Sequence, residues 1–329
     1  MMMVPLWLLL WRNRFDFLSE FSLIESCFVS KAKTMHAGTN VANGDDASVH
    51  ALEPNQELVV STDTAVAGVH WPHDFPLEKA ADRAVCAALS DLAAMGAEAC
   101  WAWVSVVAEN KHALTLMGQG VADALNRYDV ELSGGDTVHA PLNSLNITVA
   151  GVLEKNTSMQ RNQAKTGEKV WFLGQAGFAA LGLEQWLNDQ KDGSFVKYFS
   201  EITPKLQQGK ALRALGVRCC MDVSDGILQD AGHICEASNI SMRLELSKFP
   251  NWLSLCEQIG EEKATQIVLS GGEDYGLLFT AEPDMHGLDA FAECIGECVE
   301  GRDVSTSVEV YCEGEKVNIA APGYNHFAV

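Results

Sequence analysis

"ELVVSTDT", Glu57–Thr64, and "PLEKAADRAVCAALSDLAAMG", Pro76–Gly96, decide the fold class of this chain. The first is rich in β-branched residues and reads as a strand over 57–62 that ends in an STDT turn. In the second, Ala81, Ala84, Val85, Ala88, Leu89 and Leu92 recur at helical spacing, and Gly96 stops the helix. A strand that hands over to a long amphipathic helix sets a mixed fold. Further along, 101–107 is β-rich, 114–128 is an amphipathic helix, 129–132 is a short strand before a GGD turn, and 146–153 is a strand. The polar stretch "EKNTSMQRNQAKTGE" (154–168) shows no periodicity and is the expected boundary between domains. Beyond it the pattern predicts a strand at 169–174 and helices at 178–188 and 205–215. The strand-like 217–223 then runs into "SDG", followed by a helix at 225–238. Strands near 241–246 and 275–281 and a β segment around 309–319 complete the pattern. The expectation is an α+β (mixed α/β) chain in two domains, 20–153 and 154–329, behind an extension at 1–19.

The chain has 329 residues, is 47% hydrophobic and carries a net charge of −21. That size allows real cores, and that charge disfavours nucleic acid and anionic membrane as partners. A polyphosphate remains a possible ligand for so acidic a protein if metal cations lie between the two sets of negative charge. The ten cysteines are scattered, with no CxxC pair to clamp zinc, and several fall in apolar segments. A reducing, cytoplasmic setting is expected. "MMMVPLWLLLW" (1–11), followed by Arg12 and Arg14, is too short to span a bilayer and lacks the layout of a secretory signal. It reads as a disordered or wrongly assigned start.

Where apolar segments end, one grammar recurs: "NGDDASV" (43–49), "STDT" (61–64), "LSDLAAMG" (89–96), "SGGDT" (133–137), "DVSDG" (222–226) and "SGGED" (270–274). Glycine lets backbone approach a ligand, Ser and Thr supply hydroxyls, and Asp is the shortest carboxylate for a hard cation. Taken singly, each stretch is an ordinary turn or helix cap. Together, Asp46, Asp63, Asp91, Asp136, Asp222 and Asp225 are candidates to converge on magnesium ions that share their coordination with phosphate. The chain has no GxxxxGK[ST] loop, kinase catalytic-loop set, HExxH or GxSxG. A nucleotide would therefore be held through metals and carboxylates, not through a lysine loop.

From Glu20 to the C-terminus the chain resembles the thiamine-monophosphate kinase family, in the superfamily of aminoimidazole ribonucleotide (AIR) synthase and selenophosphate synthetase. The matching motifs, in family order, are "NGDDASV", "STDTAVAGVHW", "ALSDLAAMGAE", "LSGGDT", "DVSDGILQDAGHI", "LSGGEDYGLLFT" and "GYNHF". The resemblance implies ATP-dependent phosphorylation of thiamine monophosphate to thiamine diphosphate, with several Mg²⁺ ions and ATP as co-substrate. It also implies an AIR-synthase-like fold whose N-terminal domains pair across a homodimer. By the same match, Asp46, Ser61, Thr62, Asp63, Asp91, Asp136, Asp222 and Asp225 are magnesium-site residues. Gly135, Asp136, Arg161 and Ser224 are nucleotide contacts, and His70, Glu273 and Tyr324 line the thiamine phosphate pocket. No residue is assigned as an acid or base.

Each role has a plainer counterpart. Arg161 lies in a polar linker, His70 lies in the loop "HWPH", Glu273 follows two glycines that could cap a turn, and Tyr324 could be a packed terminal aromatic. The family usually follows GGEDY with Glu, whereas this chain has Gly276. The competing functions are another ATP-dependent enzyme of the superfamily, of cyclase or ligase type, and a non-catalytic acidic metal-binding scaffold.

Overall fold

The computed structural model describes residues 20–301 and 307–317. The extension 1–19 and Tyr324 lie outside the described residues. A short helix, α1 (Glu20–Ile24), leads to a two-stranded ribbon of β1 (Thr39–Val41) and β2 (Val49–His50). Next come β3 (Gln56–Val66), α2 (Leu77–Met95), β4 (Glu98–Ala108), α3 (Lys111–Arg127), β5 (Glu131–His139) and β6 (Ser144–Glu154). The four long strands form one sheet in the order β3-β6-β4-β5. Only β4 and β5 run parallel in it, joined through α3.

The rest of the chain forms a second sheet with helices around it. Its elements are β7 (Lys169–Leu173), α4 (Phe178–Leu187), α5 (Val196–Ser200), α6 (Leu206–Leu215), β8 (Cys219–Val223), α7 (Ile227–Ser238) and β9 (Ser241–Glu245). They continue with α8 (Trp252–Ile259), α9 (Glu261–Ser270), β10 (Gly276–Ala281), β11 (Glu293–Val299), β12 (Val308–Cys312) and β13 (Glu315–Lys316). The strand order is β13-β12-β9-β11-β7-β10-β8, which puts β8 at one edge.

Helix α2 positions the site. Leu89, Leu92 and Ala93 are fully buried, and Gly96 ends the helix at φ +71°, with its N–H and that of Ala97 returning to the last carbonyls. The core around α2 also takes in Phe199, Leu206, Leu212 and Cys220 from the second half, so one apolar cluster runs between the two sheets. All ten cysteines are free. Among the described residues no helix is long and apolar enough to cross a membrane.

Two of the expected turns are strand. STDT lies inside β3, which pairs with β6 from Gln56 to Val66, and GGD lies inside β5, paired with β4. Full-length partners impose extended backbone on residues whose own preference is for turns. The ribbon β1–β2, α5, α8, α9 and β11 were not expected from the pattern.

Candidate active site

Alternation along β3 sorts its polar residues. Ser61 and Asp63 share a face with Val59 and Ala65, which pack on the core, while Leu58, Val60, Thr62 and Thr64 point the other way and are exposed. Asp63 therefore looks toward α2, whereas the Thr62 hydroxyl lies on the open face, 3.1 Å from that of Thr148. The Ser61 hydroxyl donates to Asp91 of α2 at 2.5 Å. Asp222, at the end of β8, is 5% exposed.

These carboxylates feel one another. Burial, then the charges of Asp91 and Glu273, push Asp63 up to about 6. Burial raises Asp91, against the Ser61 hydrogen bond and the charge of Arg161. Asp222 is raised by burial first and by Asp91 next, with Asp230 and Asp63 adding to the effect. Crowding of this kind would be relieved by a cation between the carboxylates.

Two loops close the site from the second half. Oδ2 of Asp230 in α7 accepts the backbone N–H groups of Ser224, Asp225 and Gly226 at 3.1, 3.2 and 3.3 Å, fixing the turn that carries Ser224 and Asp225. The 271–275 loop lies against it, with the Glu273 N–H donating to the Ser224 carbonyl and the Tyr275 N–H to that of Val223. A side chain at Gly272 would meet the Ser224 carbonyl at 2.5 Å, so only glycine permits this approach. Glu273 and Tyr275 both hold positive φ, +71° and +48°. Such backbone costs about 1–3 kcal/mol each and marks a loop held in place by its surroundings. Between them, Asp274 caps α4 by accepting the N–H groups of Gly177 at 2.5 Å and Ala179 at 3.0 Å.

Two cavities meet at the acidic cluster. One, of about 300 Å³, is lined by Asp63, His70, Trp71, Arg83, Ala87, Asp91, Phe199, Asp222, Ser224, Asp225, Glu273 and Tyr275. The other, of about 450 Å³, is lined by Ser61, Asp91, Met95, Arg161, Asn162, Cys220 and Asp222. Asp91 and Asp222 belong to both. Two reactants, one in each cavity, would face each other across these two carboxylates.

The residues singled out from sequence thus divide. Asp63, Asp91, Asp222, Asp225, Ser224, His70 and Glu273 border the first cavity, and Ser61 and Arg161 border the second. Nδ1 of His70 accepts the Val66 N–H at 3.1 Å, which fixes the ring beside the cleft. Gly135 and Asp136 are exposed on β5, three strand positions from β3 and so about 14 Å across the sheet at ordinary strand spacing. Asp46 is exposed in the 43–48 turn, where Ser48 accepts from the Trp103 indole of β4 at 3.0 Å. Within one chain, Asp46, Gly135 and Asp136 do not join the cluster around Asp63. The sequence reading missed Arg83 and Asp230. Arg83 falls on the side of α2 opposite the Ala81–Leu92 stripe and so reads as a solvated charge, while Asp230 lies inside the motif DVSDGILQDAGHI without any feature that separates it from a helix-surface carboxylate.

Among the described residues, no three His, Cys, Asp or Glu side chains converge tightly enough to cage an ion unaided. Magnesium is commonly held by one or two carboxylates with water and phosphate completing its sphere. An oxygen-only set that raises its own proton affinity by crowding fits that ion.

A family model for AIR synthase related protein, N-terminal domain, matches residues 44–153. The thiamine-monophosphate kinase of Escherichia coli (strain K12) is 34% identical over 328 residues, spanning 94% of this chain and 98% of that protein. The crystal structure of thiamine-monophosphate kinase from Stenotrophomonas maltophilia K279a superposes with a TM-score of 0.78 at 30% identity, covering 91% of this chain and 98% of that one. A structure of AaThiL complexed with AMPPCP and TMP superposes with a TM-score of 0.74 at 25% identity, covering 94% and 97%. With near-complete coverage and this identity, the chain belongs to the thiamine-monophosphate kinase family.

Proposed function

We propose that this protein phosphorylates thiamine monophosphate to thiamine diphosphate with ATP, by direct in-line transfer assisted by Mg²⁺. The observation that carries this reading is the pair of cavities sharing Asp91 and Asp222. A donor in the Arg161 cavity and an acceptor in the His70–Glu273 cavity bring their phosphates together at that shared wall. An acceptor phosphate oxygen forms the new P–O bond to the γ-phosphorus as the β,γ-bridging bond breaks, and ADP leaves.

The residues present divide the work. Asp63, Asp91, Asp222 and Asp225 would hold the ions, with Ser61 orienting Asp91. When bound, magnesium screens the repulsion between two anionic reactants and stabilises charge on the transferred group. Arg161 offers a planar fork to phosphate oxygens. The acceptor phosphate is already ionised at neutral pH, so none of the carboxylates is needed as a base. The Asp230-held turn keeps Ser224 and Asp225 in place, so that geometry supplies much of the catalysis.

The active unit in this reading is a cytoplasmic homodimer. Leu58 and Val60, 51% and 55% exposed on the open face of the first sheet, support pairing there. Division into units 20–153 and 154–329 is supported by the strands of each sheet being contiguous in sequence. Incubation with ATP, Mg²⁺ and thiamine monophosphate should yield thiamine diphosphate and ADP in equal amounts. ATP consumed without that product would point instead to a cyclase or ligase of the superfamily, and metal binding with no turnover would point to a scaffold.

A further inference from the structure

Arg83 lies in the second turn of α2 and is only 4% exposed. A guanidinium buried so deeply has to have its charge matched and its donors used. One amino group donates to the Phe199 carbonyl of α5, and the other donates to Oε2 of Glu273. Its central carbon also sits 4.1 Å from the centroid of the Phe199 ring, which it covers. Tyr275 donates to the same Glu273 oxygen at 3.4 Å. Oε2 is therefore held twice, and Oε1 is left for whatever occupies the cavity.

Position along the helix separates Arg83 from the reacting end. Arg83, Ala87 and Asp91 border the same cavity and fall on one stripe of α2, four residues apart. Eight residues of helix put Asp91 about 12 Å from Arg83 along the axis, so the arginine does not reside where the two cavities meet. Its partner Glu273 is 30% exposed at the cavity wall, against 5% for the Arg83 side chain. Glu273 also repels Asp63, so without a cation behind it this carboxylate would be driven away from the acidic cluster.

We propose that Arg83 is a positioning residue of the acceptor pocket: it clamps Glu273 so that the carboxylate meets the cationic or amino-bearing part of the organic phosphate, and it thereby sets acceptor affinity. This inference rests on the acceptor assignment above. It gives Arg83 no part in phosphoryl transfer or nucleotide binding.

The test is steady-state kinetics of Arg83→Met, Arg83→Lys, Glu273→Gln and the Arg83→Met/Glu273→Gln double variant, with calorimetric titration of thiamine monophosphate and thermal melts. Arg83→Met should raise the KM for thiamine monophosphate about tenfold or more, with kcat and the KM for ATP within about threefold. Arg83→Lys should recover part of the loss, and the double variant should be no worse than the poorer single one, because both remove the same contact. Should Arg83→Met fail to fold, Arg83→Lys alone carries the test through the same selective rise in acceptor KM. A lower melting temperature with unchanged acceptor KM, or equal losses in both KM values and kcat, overturns the inference. Thiamine diphosphate formation by the unaltered protein is the control: if that is absent, the functional reading fails, not the role of Arg83.

Discussion

Replacing Asp63 with Asn separates what the acidic cluster does for stability from what it does for chemistry. In the metal-free protein, burial and the neighbouring charges raise Asp63 from 3.8 to about 6. A carboxyl whose folded value is raised contributes stability that is fully present below its unfolded value and is lost as pH rises through the folded one. That contribution is thus intact below about pH 4 and gone above about pH 6. A shift of roughly two units corresponds to about 3 kcal/mol. Asn has nearly the same shape and no charge to suppress. In EDTA, Asp63→Asn should match the parent near pH 4 and exceed it by up to about 3 kcal/mol at pH 8. The assay is urea unfolding at both pH values, with turnover measured in parallel. Turnover should fall about 100-fold or more, the scale seen when a group that stabilises transition-state charge is removed. Magnesium with a non-hydrolysable ATP analogue should shrink the stability gap, because those ligands bind the native parent more tightly. Equal stability of the two proteins at pH 8 in EDTA would refute the crowding argument, and normal turnover would refute the ligand role.

The family match gives Asp136 a magnesium and nucleotide role although it lies outside the Asp63 cluster of its own chain, so Asp136→Asn should also lose most turnover, while its exposure keeps unfolding within about 0.5 kcal/mol of the parent; undiminished turnover would remove Asp136 from the site. Gly276→Ala places a Cβ 2.6 Å from two atoms of the buried Phe172 ring and 2.8 Å from the Leu173 carbonyl. It should cost about 1–3 kcal/mol in denaturant unfolding, only partly restored by Phe172→Leu because the carbonyl cannot yield; an unchanged midpoint would contradict the packing. Asp230→Ala leaves the Ser224, Asp225 and Gly226 N–H groups without their acceptor and should cost about 2–4 kcal/mol. Asp230→Asn, which keeps an acceptor oxygen, should lose less, and equal losses would show that the turn does not depend on those bonds.

Sequence periodicity revealed α2 almost to the residue, because its apolar stripe and Gly96 are local signals that tertiary packing reinforces. It failed at STDT and GGD, where Ser, Thr, Asp and Gly favour turns but long neighbours in the first sheet hold them extended. It also missed α8, α9 and β11. β11 reads "ECIGECV", where Glu293, Gly296 and Glu297 dilute the β preference of Ile295 and Val299, and the sheet sets it between β7 and β9. For the site, the acidic motifs named Asp63, Asp91, Asp222 and Asp225, which the fold brings to one cleft, together with Asp46 and Asp136, which it does not. Whether Asp136 lies near Asp63 depends on strand order, which puts β3 and β5 at opposite edges. Gly276, a puzzle as sequence, has a spatial cause: the Phe172 ring occupies the space a side chain would need.

The cluster that joins Leu89 and Leu92 to Phe199, Leu206 and Leu212 has a consequence for the life of the polypeptide. Neither half can be a free-standing module, for each alone would present a raw greasy wall to water. During synthesis the first half must wait, unfinished, until the second has emerged. The two halves made separately should be sticky fragments, whereas a cut at the exposed 165–167 turn of the folded chain should leave them held together.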